Sequence, residues 1–356
     1  MTDRLAQAVS VVLARCRVET AAIERIDVAR DGTLTASVRT ATGTRWFDVD
    51  ERGCQELVPE QDPRLPLAAE LPQLRQTGHV DVLSWRPRRR LVLRVDRDAA
   101  TLVMKGYRAD RARRAADRHE LAAALLADTP LRVPELIARD SRRGAMLSRF
   151  SGGRPLGLGA ASQERFFRVG AALRTMQLRP APAGLAEHDA GAELAVLDDL
   201  ASRIERVGAP LPAHWREARS RLDEHRPERV ELATAHRDLH DGQLLVVGDE
   251  LLLLDFDLLA LADPLLDAAN LLVHLKLRAL QGRNGATAES ALQCGRALLD
   301  GIDRDDDPDF ASRLRFYQAG SFLRVALVHR LRPAWNALSS PLTMLALRCI
   351  DELVRL

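Results

Sequence analysis

The stretch that most constrains this chain is 233–270, ATAHRDLHDGQLLVVGDELLLLDFDLLALADPLLDAAN. It opens on the polar triplet His236-Arg237-Asp238, where an apolar run would otherwise continue. Two short apolar runs, 244–247 and 251–254, then flank Gly248-Asp249-Glu250, and a Gly-Asp pair between apolar runs is a hairpin signal. A hairpin returns its far end to its start. Gln243 and Asp255 are therefore expected to be neighbours, with Asp238 close by. An amide oxygen and two carboxylates would share one small space.

Phosphoryl transfer needs such a set: one carboxylate orients a hydroxyl, while a second carboxylate and a neutral oxygen hold Mg²⁺. The catalytic loop of kinases reads H-R-D, then Asn five residues after the Asp, then D-F-G further on. Here Gln243 takes the Asn position and Asp255-Phe256-Asp257 the D-F-G position. The alternative is an acidic turn beside a buried hairpin, which an isolated H-R-D would fit equally well.

The segments HRDLHDGQ, DFD and ADPLLDAAN more closely resemble the aminoglycoside phosphotransferase and choline-kinase-like family. Its pattern is H-x-D-x-H-x-G-N/Q, a strand ending in D-[FW]-[DE], then G-D-P-x-x-D-x-x-N/A. Gln243 departs from the commoner Asn and Ala262 from the usual Gly; the maltokinase-like branch is similar in its Gln. The resemblance implies an α+β, two-lobed protein-kinase-like fold that uses ATP and Mg²⁺ to phosphorylate a hydroxyl of an aminoglycoside, sugar or amino alcohol. It implies Asp238 as base, Gln243 and Asp255 as Mg²⁺ ligands, and His236, Asp257, Asp263 and Asp267 as supporting residues. His240 either touches substrate or packs. A protein kinase would carry A-P-E after D-F-D, whereas this chain runs straight to Asp263-Pro264. A nucleotide-binding pseudokinase stays open on account of Gln243 and the missing phosphate-loop glycines.

Composition narrows the class. A length of 356 residues accommodates two or three domains, and a net charge of +2 argues against a dedicated nucleic-acid surface. Cys16, Cys54, Cys294 and Cys349 lack metal-ligand spacing and read as reduced thiols of a cytoplasmic protein. No apolar run approaches membrane-spanning length. Of 52 basic residues only Lys105 and Lys276 are lysine.

Three segments are expected. Residues 1–78 form an N-terminal cap with a helix over 2–17, strands over 33–38 and 44–49, and a short helix over 67–74 after a Pro-rich break. Residues 79–150 form a small, mostly antiparallel nucleotide-binding lobe with strands over 80–85, 91–95, 102–104 and 145–150. Its first hairpin loop reads Arg86-Pro87-Arg88-Arg89-Arg90, in which guanidiniums, Arg88 at their centre, either replace backbone cradling of phosphate or form a solvated turn. Lys105 ends a strand, and Glu120 lies on the helix over 108–127, which suggests the lysine–glutamate pair that positions nucleotide phosphates in kinases. Adenine is expected along 147–150, at Ser148 and Phe150. The GGRPLGLG run lacks G-x-G-x-x-G.

Residues 151–356 read as a helical large lobe holding the catalytic loop. The acidic run over 303–309 either draws a cationic substrate or caps the next helix. The expected partner is a small-molecule alcohol, with no nucleic acid or membrane.

Overall fold

A computed structural model describes residues 3–50, 52–97, 100–228, 230–303 and 307–355, without the side chains of Ala21 and Arg97. Arg304, Asp305 and Asp306 of the acidic run lie outside the described residues.

In chain order, helix α1 (Arg4–Cys16) precedes strands β1 (Ile23–Val28), β2 (Leu34–Thr40), β3 (Gly43–Asp50) and β4 (Gly53–Leu57). Helix α2 (Pro66–Thr77) leads to β5 (His79–Arg86), β6 (Arg90–Arg97), β7 (Ala100–Tyr107), helix α3 (Ala109–Leu125), β8 (Leu131–Arg132), β9 (Leu136–Asp140), β10 (Ala145–Arg149) and β11 (Arg154–Pro155). Then come α4 (Gln163–Leu178), β12 (Glu187–His188), α5 (Ala190–Arg206), α6 (Trp215–Glu224), β13 (Ala233–Ala235), β14 (Leu244–Val247), β15 (Glu250–Leu253) and β16 (Ala260–Ala262). Helices α7 (Leu266–Gln281), α8 (Ala288–Ile302), α9 (Phe310–Arg330) and α10 (Ser339–Leu353) complete the chain. This is the expected α+β protein, with an antiparallel sheet lobe and a helical lobe. Among the described residues, no helix is long and apolar enough to cross a membrane.

Contacts divide the chain into two compact units. One comprises Met1–Val58, Asp189–Val230 and Ala311–Leu356; the other comprises Pro59–His188 and Glu231–Phe310. In the first, the antiparallel sheet β1-β2-β3-β4 packs against α1, whose Leu5, Ala8 and Val12 recur at helical spacing and are buried. Asp3 caps α1 by accepting from the Ala6 N–H at 2.9 Å. The N-terminal module is tied to the helices of its own unit: the Ile26 N–H donates to the Leu331 carbonyl, and the Arg4 N–H to the Val207 carbonyl. Strands β1 and β4, missed in the sequence, complete this sheet.

The second unit carries the site. Its five-stranded antiparallel sheet runs β5-β6-β7-β10-β9. Residues 59–78, grouped with the cap in the sequence reading, pack within this unit, where α2 lies against β5 and β7. Helix α3 covers the sheet with Ala112, Ala115 and Ala116, beside Tyr107 and Met146. Strands β14 and β15 form the expected hairpin, pairing Leu244 with Leu253 and Val247 with Glu250 around Gly248, whose φ of 58° suits glycine.

Helices α4 and α8 bring the support of this unit together at two glycines. A Cβ at Gly170 would stand 2.1 Å from the Leu298 carbonyl oxygen, and one at Gly301 would stand 2.1 Å from that of Phe167. Backbone atoms cannot rotate aside as a side chain can. Gly170→Ala is therefore expected to destabilise the protein by about 3 kcal/mol, at the upper end of ordinary overpacking. Gly157→Ala, with open space around its Cβ position, should change stability by less than about 0.5 kcal/mol. Urea unfolding of both variants checks the difference.

Candidate active site

The triplet His236-Arg237-Asp238 leaves the end of β13 and is fixed from three sides. Asp267, fully buried at the start of α7, accepts from the His236 N–H at 2.6 Å and from the Arg237 N–H at 2.7 Å. Burial pushes its carboxyl pKa up, against the pull of His236 and these two amides. Asn270, one helical turn on, donates to the Leu239 carbonyl at 2.8 Å. The fully buried His236 accepts from the Asp238 N–H on Nδ1 at 3.3 Å, which places its proton on Nε2, 2.8 Å from the Leu254 carbonyl. One imidazole thus joins the loop holding Asp238 to the residue before Asp255. Asp263 is engaged locally, accepting from the Leu265 N–H at 2.8 Å as α7 begins.

Two residues here adopt left-handed backbone conformations: Arg237 at φ 69° and Asp255 at φ 66°. Such conformations cost a non-glycine residue free energy and tend to gather where function demands a particular orientation. The hairpin closes as its sequence suggests, with the Leu254 N–H donating to the Gln243 carbonyl at 2.9 Å. Gln243 and Asp255 consequently line one cavity.

Lys105 reaches both carboxylates of the D-F-D segment, at 2.8 Å from Asp255 Oδ1 and 3.1 Å from Asp257 Oδ1. Arg90 meets the other oxygen of Asp255 at 2.6 Å, and the Tyr107 hydroxyl donates to Asp257 at 2.8 Å. Burial alone would raise the pKa of Asp255, but Lys105 and Arg90 outweigh it and hold the carboxyl well below the usual range. Burial, with Asp257 and Asp255 alongside, pushes the Tyr107 phenol well above its ordinary value.

The expected pairing of Lys105 with Glu120 does not form. Glu120 points outward and is bound to Arg139, with Nε at 3.0 Å. Its neighbour His119 takes the inward place on α3, bonded to the Pro134 carbonyl at 2.7 Å and edge-on to Phe256 at 5.9 Å. Arg88 also differs from expectation. Its side chain does not line the site, and its backbone N–H donates to Asp62 Oδ2 at 2.6 Å, an oxygen shared with the Trp85 indole. That carboxylate pins the hairpin loop, and Arg90 becomes the arginine that reaches Asp255.

Two adjoining cavities meet at Arg90, Asp255 and Asp257. The first, of about 300 Å³, is an apolar slot. Val92 and Val103 lie on its sheet side, Leu245, Leu252 and Leu254 on its hairpin side, and Ser148 and Phe150 along its edge. Lys105 and Gln243 stand at its polar end. The Phe150 N–H is already bonded to the Thr101 carbonyl, and the Arg149 N–H to that of Glu135. The second cavity, of about 520 Å³, contains Asp238. Among the described residues, the Asp238 carboxylate has no hydrogen bond or ion pair. His240 lines neither cavity and stacks on His274 at 5.0 Å.

The residues fit a Mg²⁺–nucleotide. A carboxylate has about four acceptor positions, and Lys105 and Arg90 engage one contact on each oxygen of Asp255. The Gln243 side-chain amide makes no hydrogen bond to the described residues and lines the same cavity as Asp255. Oxygen donors of this kind suit a hard cation. Arg90, Tyr107 and the slot's leucines were not singled out in the sequence. The only signal for Arg90 was its place in the Arg-Pro-Arg-Arg-Arg loop.

The family model described as "Phosphotransferase enzyme family" matches residues 83–307. Among solved structures, a choline/ethanolamine kinase family protein from Mesorhizobium loti aligns at 20% identity over 78% of this chain and 91% of that one, with a TM-score of 0.53. Choline kinase LicA from Streptococcus pneumoniae aligns at 13% identity over 80% and 98%, with a TM-score of 0.54. The GDP complex of aminoglycoside 2'-phosphotransferase-IIIa aligns at 14% identity over 80% and 95%, with a TM-score of 0.51. The fold is thus kinase-like. No curated protein matches significantly at the level of sequence.

Proposed function

The chain belongs to the phosphotransferase enzyme family, and from that premise we propose that it transfers the γ-phosphoryl group of ATP to a hydroxyl of a small molecule. The observation that carries this reading is the Asp238 carboxylate, without a hydrogen bond or ion pair to the described residues, in a cavity that shares Asp255 and Asp257 with an apolar slot. The slot suits an adenine, and its polar end suits phosphates.

In the transfer, Asp238 orients the acceptor hydroxyl and takes its proton as the oxygen attacks the γ-phosphorus and the bond to ADP breaks. Lys105 holds phosphate oxygens from the end of the slot, and Arg90 stands beside it. Asp255 and Gln243 would hold Mg²⁺, which when bound neutralises phosphate charge. His236, Asp267 and Asn270 keep the catalytic loop in place. Asp257 fixes Lys105 and Tyr107. Four free cysteines are in keeping with a reducing, cytoplasmic setting. GDP in a solved neighbour makes GTP the natural competitor to test as phosphoryl donor.

The test is acceptor-dependent ADP release by purified protein with Mg²⁺-ATP, across aminoglycosides, sugars, sugar phosphates, hydroxy acids and amino alcohols. Nucleotide binding without release from any acceptor would favour a pseudokinase.

Lys105 supplies a sharper test of the small lobe. Its ammonium is compact, its side chain is only 12% exposed, and it bridges two carboxylates. Arginine is wider and planar, with donors in a rigid fork. Lys105→Arg should lower kcat/KM for ATP about tenfold, equivalent to about 1.4 kcal/mol. Lys276, exposed on α7, is the control: Lys276→Arg should leave kcat/KM unchanged. Equal activity in the two variants would remove Lys105 from the nucleotide site.

A further inference from the structure

The cavity holding Asp238 is lined by six arginines, against the three aspartates Asp238, Asp255 and Asp257. Arg86, Arg89 and Arg90 come from the β5–β6 hairpin, and Arg111, Arg114 and Arg118 from α3. The helix set follows from spacing: positions three and four apart share a helical face, so the three α3 arginines form one stripe with Ala115 towards the cavity.

Two members of that stripe have no side-chain partner among the described residues. The Arg111 and Arg114 guanidiniums form no ion pair or hydrogen bond with the described residues. Other arginines are matched, Arg139 with Asp117 and Glu120 and Arg143 with Asp140 and Glu70, so what sets Arg111 and Arg114 apart from other unmatched arginines is that they line the cavity of Asp238. Arg111 also lies in the first turn of α3, where the positive end of the helix dipole disfavours cations. Arg118 donates to the Asp257 carbonyl, and burial, followed by repulsion from Arg114 and Arg111, lowers its pKa. Like charges held together along one helical face suit an anion that arrives from outside.

The nucleotide does not account for all six. The apolar slot meets the larger cavity at Arg90, Asp255 and Asp257, where a triphosphate chain entering from the slot would end. Arg90 and Lys105, which line the slot, belong with that chain, whereas Arg86 and Arg89 line only the larger cavity. The stripe on α3 shares its cavity with Asp238, the proposed acceptor base. A cationic acceptor would meet a wall of guanidiniums there. Tyr107 is the one aromatic residue in the lining, and its hydroxyl is committed to Asp257, so a cage of aromatic faces for a quaternary ammonium is not present among the described lining residues.

We propose that the acceptor is an anionic alcohol, whose phosphate or carboxylate group is bound by Arg111, Arg114 and Arg118 while its hydroxyl faces Asp238. This rests on the phosphotransferase reading and narrows its substrate class. Aminoglycosides and amino alcohols become poor acceptors, and sugar phosphates or hydroxy acids become good ones.

The test is calorimetric binding to protein saturated with Mg²⁺ and a non-hydrolysable ATP analogue, so that it does not depend on turnover. The probes are glycerol with glycerol 3-phosphate and glycerate, glucose with glucose 6-phosphate, and choline and kanamycin as cations. Anionic members should bind at least tenfold more tightly than their neutral counterparts, and the phosphate and carboxylate arms identify which anion is preferred. In the double variant Arg111→Gln/Arg114→Gln that preference should fall at least tenfold, with melting temperature and analogue affinity retained.

Equal or absent binding across charged and neutral members overturns the proposal, as does tighter binding of a cation. Loss of analogue affinity in the double variant, in place of acceptor affinity, also overturns it and assigns the stripe to the nucleotide. Selective anion binding without ADP release from any alcohol supports the anion site and overturns the phosphotransferase reading, so the two failures are distinct.

Discussion

Asp238→Asn lowers kcat by a factor of about 10²–10⁴, the usual contribution of a positioned general base, while affinity for Mg²⁺-ATP stays within about twofold. The expectation follows from where the side chain stands. Asp238 lines the larger cavity and not the apolar slot, so it has little part in holding the nucleotide. Its loop is fixed through backbone groups: the His236 and Arg237 N–H groups bind Asp267, and the Leu239 carbonyl binds Asn270. An asparagine of nearly the same shape therefore leaves the loop in place and removes only the proton acceptor. Steady-state kinetics with an identified acceptor, beside calorimetric nucleotide binding, reads both quantities. Turnover at the wild-type rate would remove Asp238 from the reaction.

What the sequence made legible was set by short-range geometry. Two residues between β14 and β15 bring the hairpin's ends together, so Gln243 and Asp255 meet by construction. The order of H-R-D, hairpin and D-F-D then carries the chemistry. Glu120 shows where such reasoning stops. Counting fifteen residues from Lys105 gives no helical phase, and α3 buries Ala112, Ala115, Ala116 and His119, which turns Glu120 outward to Arg139. The partners of Lys105 lie 150 and 152 residues away, beyond any local pattern.

Arg88 failed for a related reason. All the arginines of its loop look alike in sequence, and the Asp62 carboxylate, 26 residues upstream, decides how the turn is pinned. The packing of residues 59–78 with the small sheet is likewise a matter of tertiary contact. The Pro-rich break before them marks a change of direction and says nothing about which neighbours follow.

Asp255→Asn should separate two contributions of one carboxylate. Asparagine tolerates the left-handed backbone at this position better than most residues, so φ near 66° is retained and the charge alone is lost. Lys105 and Arg90 then keep only Asp257 as a carboxylate partner. In metal-free buffer at neutral pH, the variant should be less stable by about 2 kcal/mol, the range for hydrogen bonds to a charged group. The sign of the pH dependence is fixed by the depressed pKa of Asp255. The stabilisation is fully present above its ordinary value near 3.8 and is lost as pH falls through the lower folded-state value. The stability gap between wild type and variant should therefore be constant from pH 7 down to about pH 5 and close in stronger acid. With Mg²⁺ present, the variant's nucleotide affinity should no longer rise with added metal, and turnover should fall about 10²-fold or more, equivalent to about 2.7 kcal/mol. Gln243→Asn, which keeps an amide oxygen, should retain the metal dependence. Should Asp255→Asn bind ATP with an undiminished response to Mg²⁺, the carboxylate serves Lys105 and Arg90 alone, and the metal must be held elsewhere.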